Sequence, residues 1–245
     1  MITLRRAAER QHEKSRTLET WLTFEPRDRV GILADGLGNI EMLKESRLAP
    51  GARVPRASGH DAEILTYVRE GALAYENSLG SSGIVQAGEF QRVTAGRGLH
   101  RNRTNASRTD GVHFFQIWLR PSEADLDPGH EQKRFTAAQR RGGLCIVASH
   151  DARRGSLRIH QDALIYSALL DPGQHVVHEL SPDRSAWLQL LQGEVTFGDT
   201  VLCTGDGAGI TAERAVSLTA SEESEILLVD MGEATPAPRT NSGRP

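Results

Sequence analysis

Arg101 and Arg103 stand two residues apart in the run Leu99-His-Arg-Asn-Arg-Thr-Asn105. On a β-strand such a spacing sends both side chains to one face. Two fixed guanidinium forks on one face suit a carboxylate or a phosphate. With Arg56 at the rim they outline a basic pocket for a small anion. The bland alternative is that they pair internally with Glu63 or Asp61, or extend to a barrel mouth. A second constellation is His60, His100, Glu63 and His113, whose imidazoles and carboxylate could converge on a divalent metal if a bulge turned both strands. His175 and His178 are spaced by three, so a strand places them on opposite faces and they form no ligand pair. Cys203, beside the Thr-Gly-Asp turn, is the redox candidate; Cys145 lies in an apolar run and reads as an inert thiol.

The elements that must position these groups are short β-type runs: Ile64–Val68, Phe114–Leu119, Leu157–Ile159, Trp187–Leu191 and Ile226–Val229. Turns punctuate them at Ala87-Gly-Glu, Asp171-Pro-Gly and Gly205-Asp-Gly. Closely spaced turns favour an all-β sandwich or barrel over a parallel α/β sheet. Helix is expected only near Ala7–Ser15 and Phe135–Arg141. Three landmarks recur in one order. Leu48-Ala-Pro-Gly51 matches Leu170-Asp-Pro-Gly173, Val68-Arg-Glu-Gly71 matches Leu190-Leu-Gln-Gly193, and Gln86-Ala-Gly-Glu89 matches Cys203-Thr-Gly-Asp206, at offsets of 122, 122 and 117 residues. The duplication predicts two copies of one barrel, with Trp118 and Trp187 in the cores.

At 245 residues the chain can bury a large core in one or two domains. A net charge of −3 gives no pull toward nucleic acid or anionic membrane. The clusters Arg140-Arg141 and Arg153-Arg154 therefore read as solvated or paired cations. No apolar run reaches membrane-span length. Two cysteines are too few for a disulfide framework, so the expected setting is cytoplasmic. P-loop, nucleophile-elbow and Cys-x-x-Cys patterns are absent from the sequence.

The stretches GARVPRASGHDAEILTYVREG from Gly51 and AGEFQRVTAGRGLHRNRTNAS from Ala87 carry the punctuation of a cupin barrel. With FFQIWLRP (Phe114–Pro121), EQKRF (Glu131–Phe135) and SHDARRGSLRIHQDALIY (Ser149–Tyr166), the chain resembles the pirin family of bicupins up to about Met231. The run EPRDRVGILADG after Phe24 is shorter than the family's. The resemblance implies an all-β bicupin, with an N-terminal barrel over 1–120 and a C-terminal barrel over 143–231; the polar, Pro/Gly-punctuated run over 121–142 reads as the connector, and the tail over 232–245, which lacks apolar anchors, as disordered. It also implies an iron site of three His and one Glu in the N-terminal barrel, and quercetin 2,3-dioxygenase activity in some members. Those four ligand positions fall on Ala57, Gly59, Arg101 and Arg103, with spacing preserved because Glu63 and Asn105 keep their family places. Arginine donates only and offers iron no lone pair. The sequence therefore reads as a pirin-like bicupin without an expected cofactor, acting as an anion-binding or regulatory module that partners a small anion or a protein, with a monomer plausible. The alternatives are a quercetinase-type oxidoreductase holding Fe or another divalent metal through His60 and His100, and a cysteine-based redox sensor. His160 reads as a domain-interface histidine.

Overall fold

A computed structural model describes residues 1–24, 37–55, 62–78, 80–96 and 99–233. Its strands, in chain order, are β1 (Ile2–Arg5), β2 (Gln11–Lys14), β3 (Leu18–Phe24), β4 (Ile40–Leu48), β5 (Arg53–Val54), β6 (Glu63–Glu70), β7 (Ala72–Asn77), β8 (Ser82–Gln86), β9 (Glu89–Thr94), β10 (Arg101–Asn105) and β11 (Val112–Leu119). They continue with β12 (Gly129–Arg134), β13 (Cys145–Ser149), β14 (Leu157–Arg158), β15 (Ala163–Leu170), β16 (His175–Glu179), β17 (Ser185–Gln192), β18 (Glu194–Phe197), β19 (Thr200–Cys203), β20 (Gly207–Thr211), β21 (Ala215–Ala220) and β22 (Ser224–Met231). The helix α1 (Ala137–Arg140) is a single turn capped by Thr136, whose hydroxyl accepts from the Gln139 backbone N–H.

Each half is a seven-stranded sheet facing a four-stranded one. The N-terminal pair runs β12-β9-β6-β11-β4-β3-β2 and β5-β10-β7-β8; the C-terminal pair runs β1-β20-β17-β22-β15-β13-β14 and β16-β21-β18-β19. The orders superpose element for element, as the repeated landmarks predict. Gly71 and Gly193 follow the equivalent strands β6 and β17 with φ of +78° and +90°. A Cβ on Gly71 would lie 2.6 Å from the Gly111 carbonyl oxygen, so only glycine fits the turn.

Two strands cross the expected division at residue 120. β1, at the start of the N-terminal half, pairs with β20 of the C-terminal sheet. β12, inside the expected connector, pairs with β9 of the N-terminal sheet. The helix expected over Ala7–Ser15 is a 3-10 turn at Ala7–Glu9 followed by β2, because Gln11–Lys14 pairs along β3.

The two large sheets pack on each other. Leu65, Tyr67, Phe90, Phe115 and Ile117 from one meet Val147, Ile165, Trp187, Leu227 and Val229 from the other in one buried cluster. The barrel interiors differ. The C-terminal one is filled by Leu188, Leu190, Val195, Phe197, Leu218, Ile226 and their apolar neighbours. The N-terminal one holds two smaller clusters, one around Val68, Leu73, Val85 and Phe114 and another of Ala62, Ile64 and Trp118. Among the described residues no helix is long and apolar enough to cross a membrane.

Candidate functional site

Cross-strand register fixes what faces the N-terminal barrel interior. Phe114 and Val68 share a face on β11 and β6 and cluster with Val54, Leu73 and Val85 of the small sheet, so this face is the inner one. Two residues further along, Gln116 pairs with Thr66, and Thr66 with Gln91, to give a polar row. Lys44 of β4 continues it. Two residues further again, Trp118 pairs with Ile64 and Met42 to form an apolar row. Across the barrel, Arg103 pairs with Val54 and Tyr75, and Asn105 with Leu73. Since Val54 and Leu73 belong to the inner cluster, Arg103 and, by alternation, Arg101 project inward.

The arginines are therefore where the sequence placed them, and the interior around them is short of partners. Arg103 is 6% exposed and its Nη1 has no hydrogen-bond partner. The same holds for Trp118 Nε1, Gln91 Nε2 and Gln116 Oε1. Gln116 uses its amide nitrogen to donate to the Thr66 hydroxyl at 3.0 Å. Each unmet buried group costs about 1–3 kcal/mol, so four on one interior are a concentrated debt of unsatisfied polarity. Burial pushes the Arg101 pKa down to about 10, and burial together with the charge of Arg101 pushes that of Arg103 down to about 9. Both stay charged at neutral pH. Asn105 instead closes the adjacent loop, donating to the carbonyls of Leu48, Ala49 and Asp110. Sequence reasoning placed Trp118 in a core, as found, but missed Gln91 and Gln116 as interior groups. Their signal was the period-two alternation of β11 and β9 carried across the barrel.

Internal pairing with Glu63 does not occur. Glu63 lies on the opposite face of β6 with Leu65 and Tyr67, in the domain interface, where Oε1 meets His160 Nδ1 at 3.0 Å. His160 is thus the interface histidine expected. Glu63 is 1% exposed and its Oε2 is unpaired.

The rearranged metal constellation is corrected for its described members. His100 is exposed, because alternation turns it away from the face of Arg101. His113 sits on the outer face of β11 beside Phe115, with Nε2 2.8 Å from Glu45 Oε1. Gln116 lies on the face opposite to it, by alternation along the strand. Glu45 in turn accepts from Arg10 at 2.8 Å. Three groups that must converge thus point to solvent, to the domain interface and to a separate buried pair. Among the described residues no three His, Cys, Asp or Glu are grouped to hold a metal. Arg56, Ala57, Gly59, His60 and Asp61 lie outside the described residues.

The remaining candidates also resolve. His175 is exposed, while His178 meets Asp230 at 2.7 Å, as a spacing of three requires. Cys203 is exposed, but desolvation and the nearby Glu194 and Asp206 raise its thiol pKa; burial raises that of Cys145. Neither has the lowered pKa of a reactive thiol. Arg140 is buried against Tyr67, Ser167 and Glu225, Arg141 meets Asp171, and Arg153 meets Asp151, so these cations are paired.

Comparison with known proteins places this geometry in a lineage. Residues 7–119 match the Pirin family model and residues 146–231 the model of the quercetinase C-terminal cupin domain. Quercetin 2,3-dioxygenase of Escherichia coli K12 is 37% identical over 231 residues, covering 94% of this chain and 99% of that protein. A pirin-like protein of Caulobacter vibrioides is 33% identical, covering 79% of this chain and 83% of its own length. The crystal structure of the E. coli bacterial pirin YhhW in complex with nickel(II) is 36% identical with a TM-score of 0.88, covering 95% of this chain and 100% of that one. These relatives overturn the expectation of a protein without a cofactor: the nickel complex and the dioxygenase names point to a metal cofactor. At this identity and coverage, and with the two barrels superposing strand for strand, the chain belongs to the pirin family.

Proposed function

We propose that this chain is a metal-dependent oxidoreductase of the quercetin 2,3-dioxygenase type, with the N-terminal barrel as its reaction chamber. The observation that carries the proposal is the match to the E. coli dioxygenase along essentially the whole of both chains. The contrast between the barrels supports the choice of chamber. The C-terminal interior is solid hydrocarbon, whereas the N-terminal interior sets an apolar wall of Trp118, Ile64 and Met42 beside a polar row. An oxygen-rich aromatic substrate fits such a lining: its ring against Trp118, its hydroxyl and carbonyl oxygens toward Gln91, Gln116 and Arg103. Guanidinium charge there favours an ionised substrate hydroxyl.

The residues at 101 and 103 do not fit the metal itself. Two inward guanidinium groups repel a dication and supply no donor. The metal's donors lie elsewhere than at these two positions. Two cysteines without a disulfide go with a reducing, cytoplasmic setting. The test is oxygen uptake with quercetin, using protein loaded in turn with nickel(II), manganese(II) and iron(II) and assayed for bound metal. Quercetin-dependent uptake, abolished by phenanthroline, is expected. Absence of uptake in every loading, under conditions where the E. coli enzyme turns over, rejects the proposal.

A second reading, a regulatory or binding module built on the same barrel, is favoured by one observation: the buried charge of Arg103 has no carboxylate partner among the described residues.

A further inference from the structure

The most unusual feature among the described residues is a buried cation without a counter-charge, Arg103, with the half-buried Arg101 on the same face. Every other buried arginine is matched: Arg10 by Glu45, and Arg140 by Glu225 and Tyr67. Arg103 is as buried as these, yet its Nη1 is unpaired and no carboxylate among the described residues forms an ion pair with it. Glu63, the partner the sequence offers for it, is turned to the other face of its strand and held by His160. Arg101 adds a second like charge on the same face.

The opposite wall supplies further unmatched donors. Trp118 Nε1 and Gln91 Nε2 have no acceptor, and they face the arginines across the barrel from adjacent rows of the large sheet. An unpaired buried donor is a feature that proteins otherwise avoid; here three donors share one interior. Beside them lies the apolar cluster of Ala62, Ile64 and Trp118, flanked by Met42. A ligand that met all of these would be anionic at one end and apolar at the other.

We propose that the N-terminal barrel interior binds a small organic carboxylate, its two oxygens taken by Arg101 and Arg103 and its body seated against Trp118 and Ile64. One guanidinium fork matches both oxygens of a carboxylate, and a second neutralises the charge that burial would otherwise penalise. Gln91 and Gln116 read polar substituents on the body, the first by donating and the second through its free carbonyl oxygen. The site goes beyond the oxygenase reading and stands without it, since it uses only the chain's own donors.

Isothermal titration on the full chain tests it, with benzoate and phthalate as probes, benzamide as the neutral isostere and inorganic phosphate as the bare oxyanion. The carboxylates are expected to bind and benzamide not to. Arg103→Met and Arg101→Met should each weaken carboxylate binding by about tenfold or more, the loss of one charge-assisted bond pair. Arg141→Met, which removes a cation paired with Asp171 at the surface, should leave it unchanged. Circular dichroism confirms that the variants are folded, and Trp118→Leu provides a second, uncharged probe that should weaken benzoate more than phosphate. The proposal is overturned by no carboxylate binding, by carboxylate affinity unaltered in both arginine variants, or by binding of phosphate alone. Carboxylate binding that disappears after phenanthroline treatment also overturns it, because the anion would then be held by a metal. Failure of quercetin turnover leaves these binding readouts intact, so the two proposals fall separately.

Discussion

Replacing Arg103 with methionine is expected to raise the stability of the ligand-free protein, the reverse of what removing a buried, well-packed side chain usually does. The guanidinium is 6% exposed, and burial with the charge of Arg101 moves its pKa from 12.5 to about 9. At about 1.36 kcal/mol per unit, that shift corresponds to a penalty on the charged form of roughly 5 kcal/mol. The group is charged in the folded state at neutral pH and in the unfolded state as well, so the whole penalty falls on the native protein. Methionine has a similar length and no charge, which removes the penalty but gives up some packing. Exchanges of buried charge for apolar side chains yield about 1–4 kcal/mol. A central gain of about 2 kcal/mol corresponds to a rise of roughly 4–8 °C in Tm for a chain of this size. Differential scanning calorimetry in a buffer without carboxylate or phosphate reads it directly. The same variant should lose the stabilisation that benzoate gives the wild type. A lowered Tm, or none of the expected gain, would refute the reasoning, because it would mean that the guanidinium already has a partner or is solvated.

Other perturbations test neighbouring parts of the structure. Arg140→Ala removes the cation that bridges Tyr67 and Glu225 at the domain interface, leaving Glu225 with Arg69 and the Tyr67 hydroxyl, and should cost about 3–5 kcal/mol by urea denaturation. In Glu45, burial opposes ionisation, but the hydrogen bond with His113 and the charge of Arg10 outweigh it and hold the carboxyl below its ordinary 4.5. A depressed carboxylate gives stability that is present above its unfolded pKa and lost as pH falls through its folded one. Stability should therefore decline below about pH 4.5, and Glu45→Gln should remove that part of the pH dependence while lowering stability at pH 7. Gly71→Ala sets a Cβ 2.6 Å from the Gly111 carbonyl at a φ of +78° and should cost at least about 2 kcal/mol. Its counterpart Gly193→Ala should behave alike, and a benign outcome at either would deny the equivalence of the two turns.

Much of the architecture was legible because it is written in local signals. The glycine turns at Gly71 and Gly193 and the alternation of Phe114–Leu119 specify strands, faces and the duplication without any long-range information. The inward aim of Arg101 and Arg103 followed from the same alternation, as did the outward turn of His100. The rest depends on which sheet packs on which. Glu63 and His113 occupy strand positions of the right parity for convergence only if their outer faces were empty. Glu63 instead meets the second barrel, and His113 meets Glu45. The partnerless state of Gln91 and Trp118 is a property of two sheets facing each other, which no single strand announces. Nor does any local pattern tell that Ile2–Arg5 joins a sheet whose adjoining strand lies some 200 residues downstream.

That last pairing has a consequence for how the molecule comes into being. β1 is made before the other strands described here, yet its hydrogen-bonding partner β20 follows some 200 residues later. While the N-terminal barrel is free to condense, the edge of β1 waits unsatisfied, and the C-terminal sheet completes its own edge only by reaching back to it. Synthesis of the second barrel alone, starting after the connector, would leave β20 as an open edge beside Trp187 and prone to pairing with another molecule. The two halves look like successive copies of one unit, but the chain closes them as a single circuit, with its first strand as the final clasp.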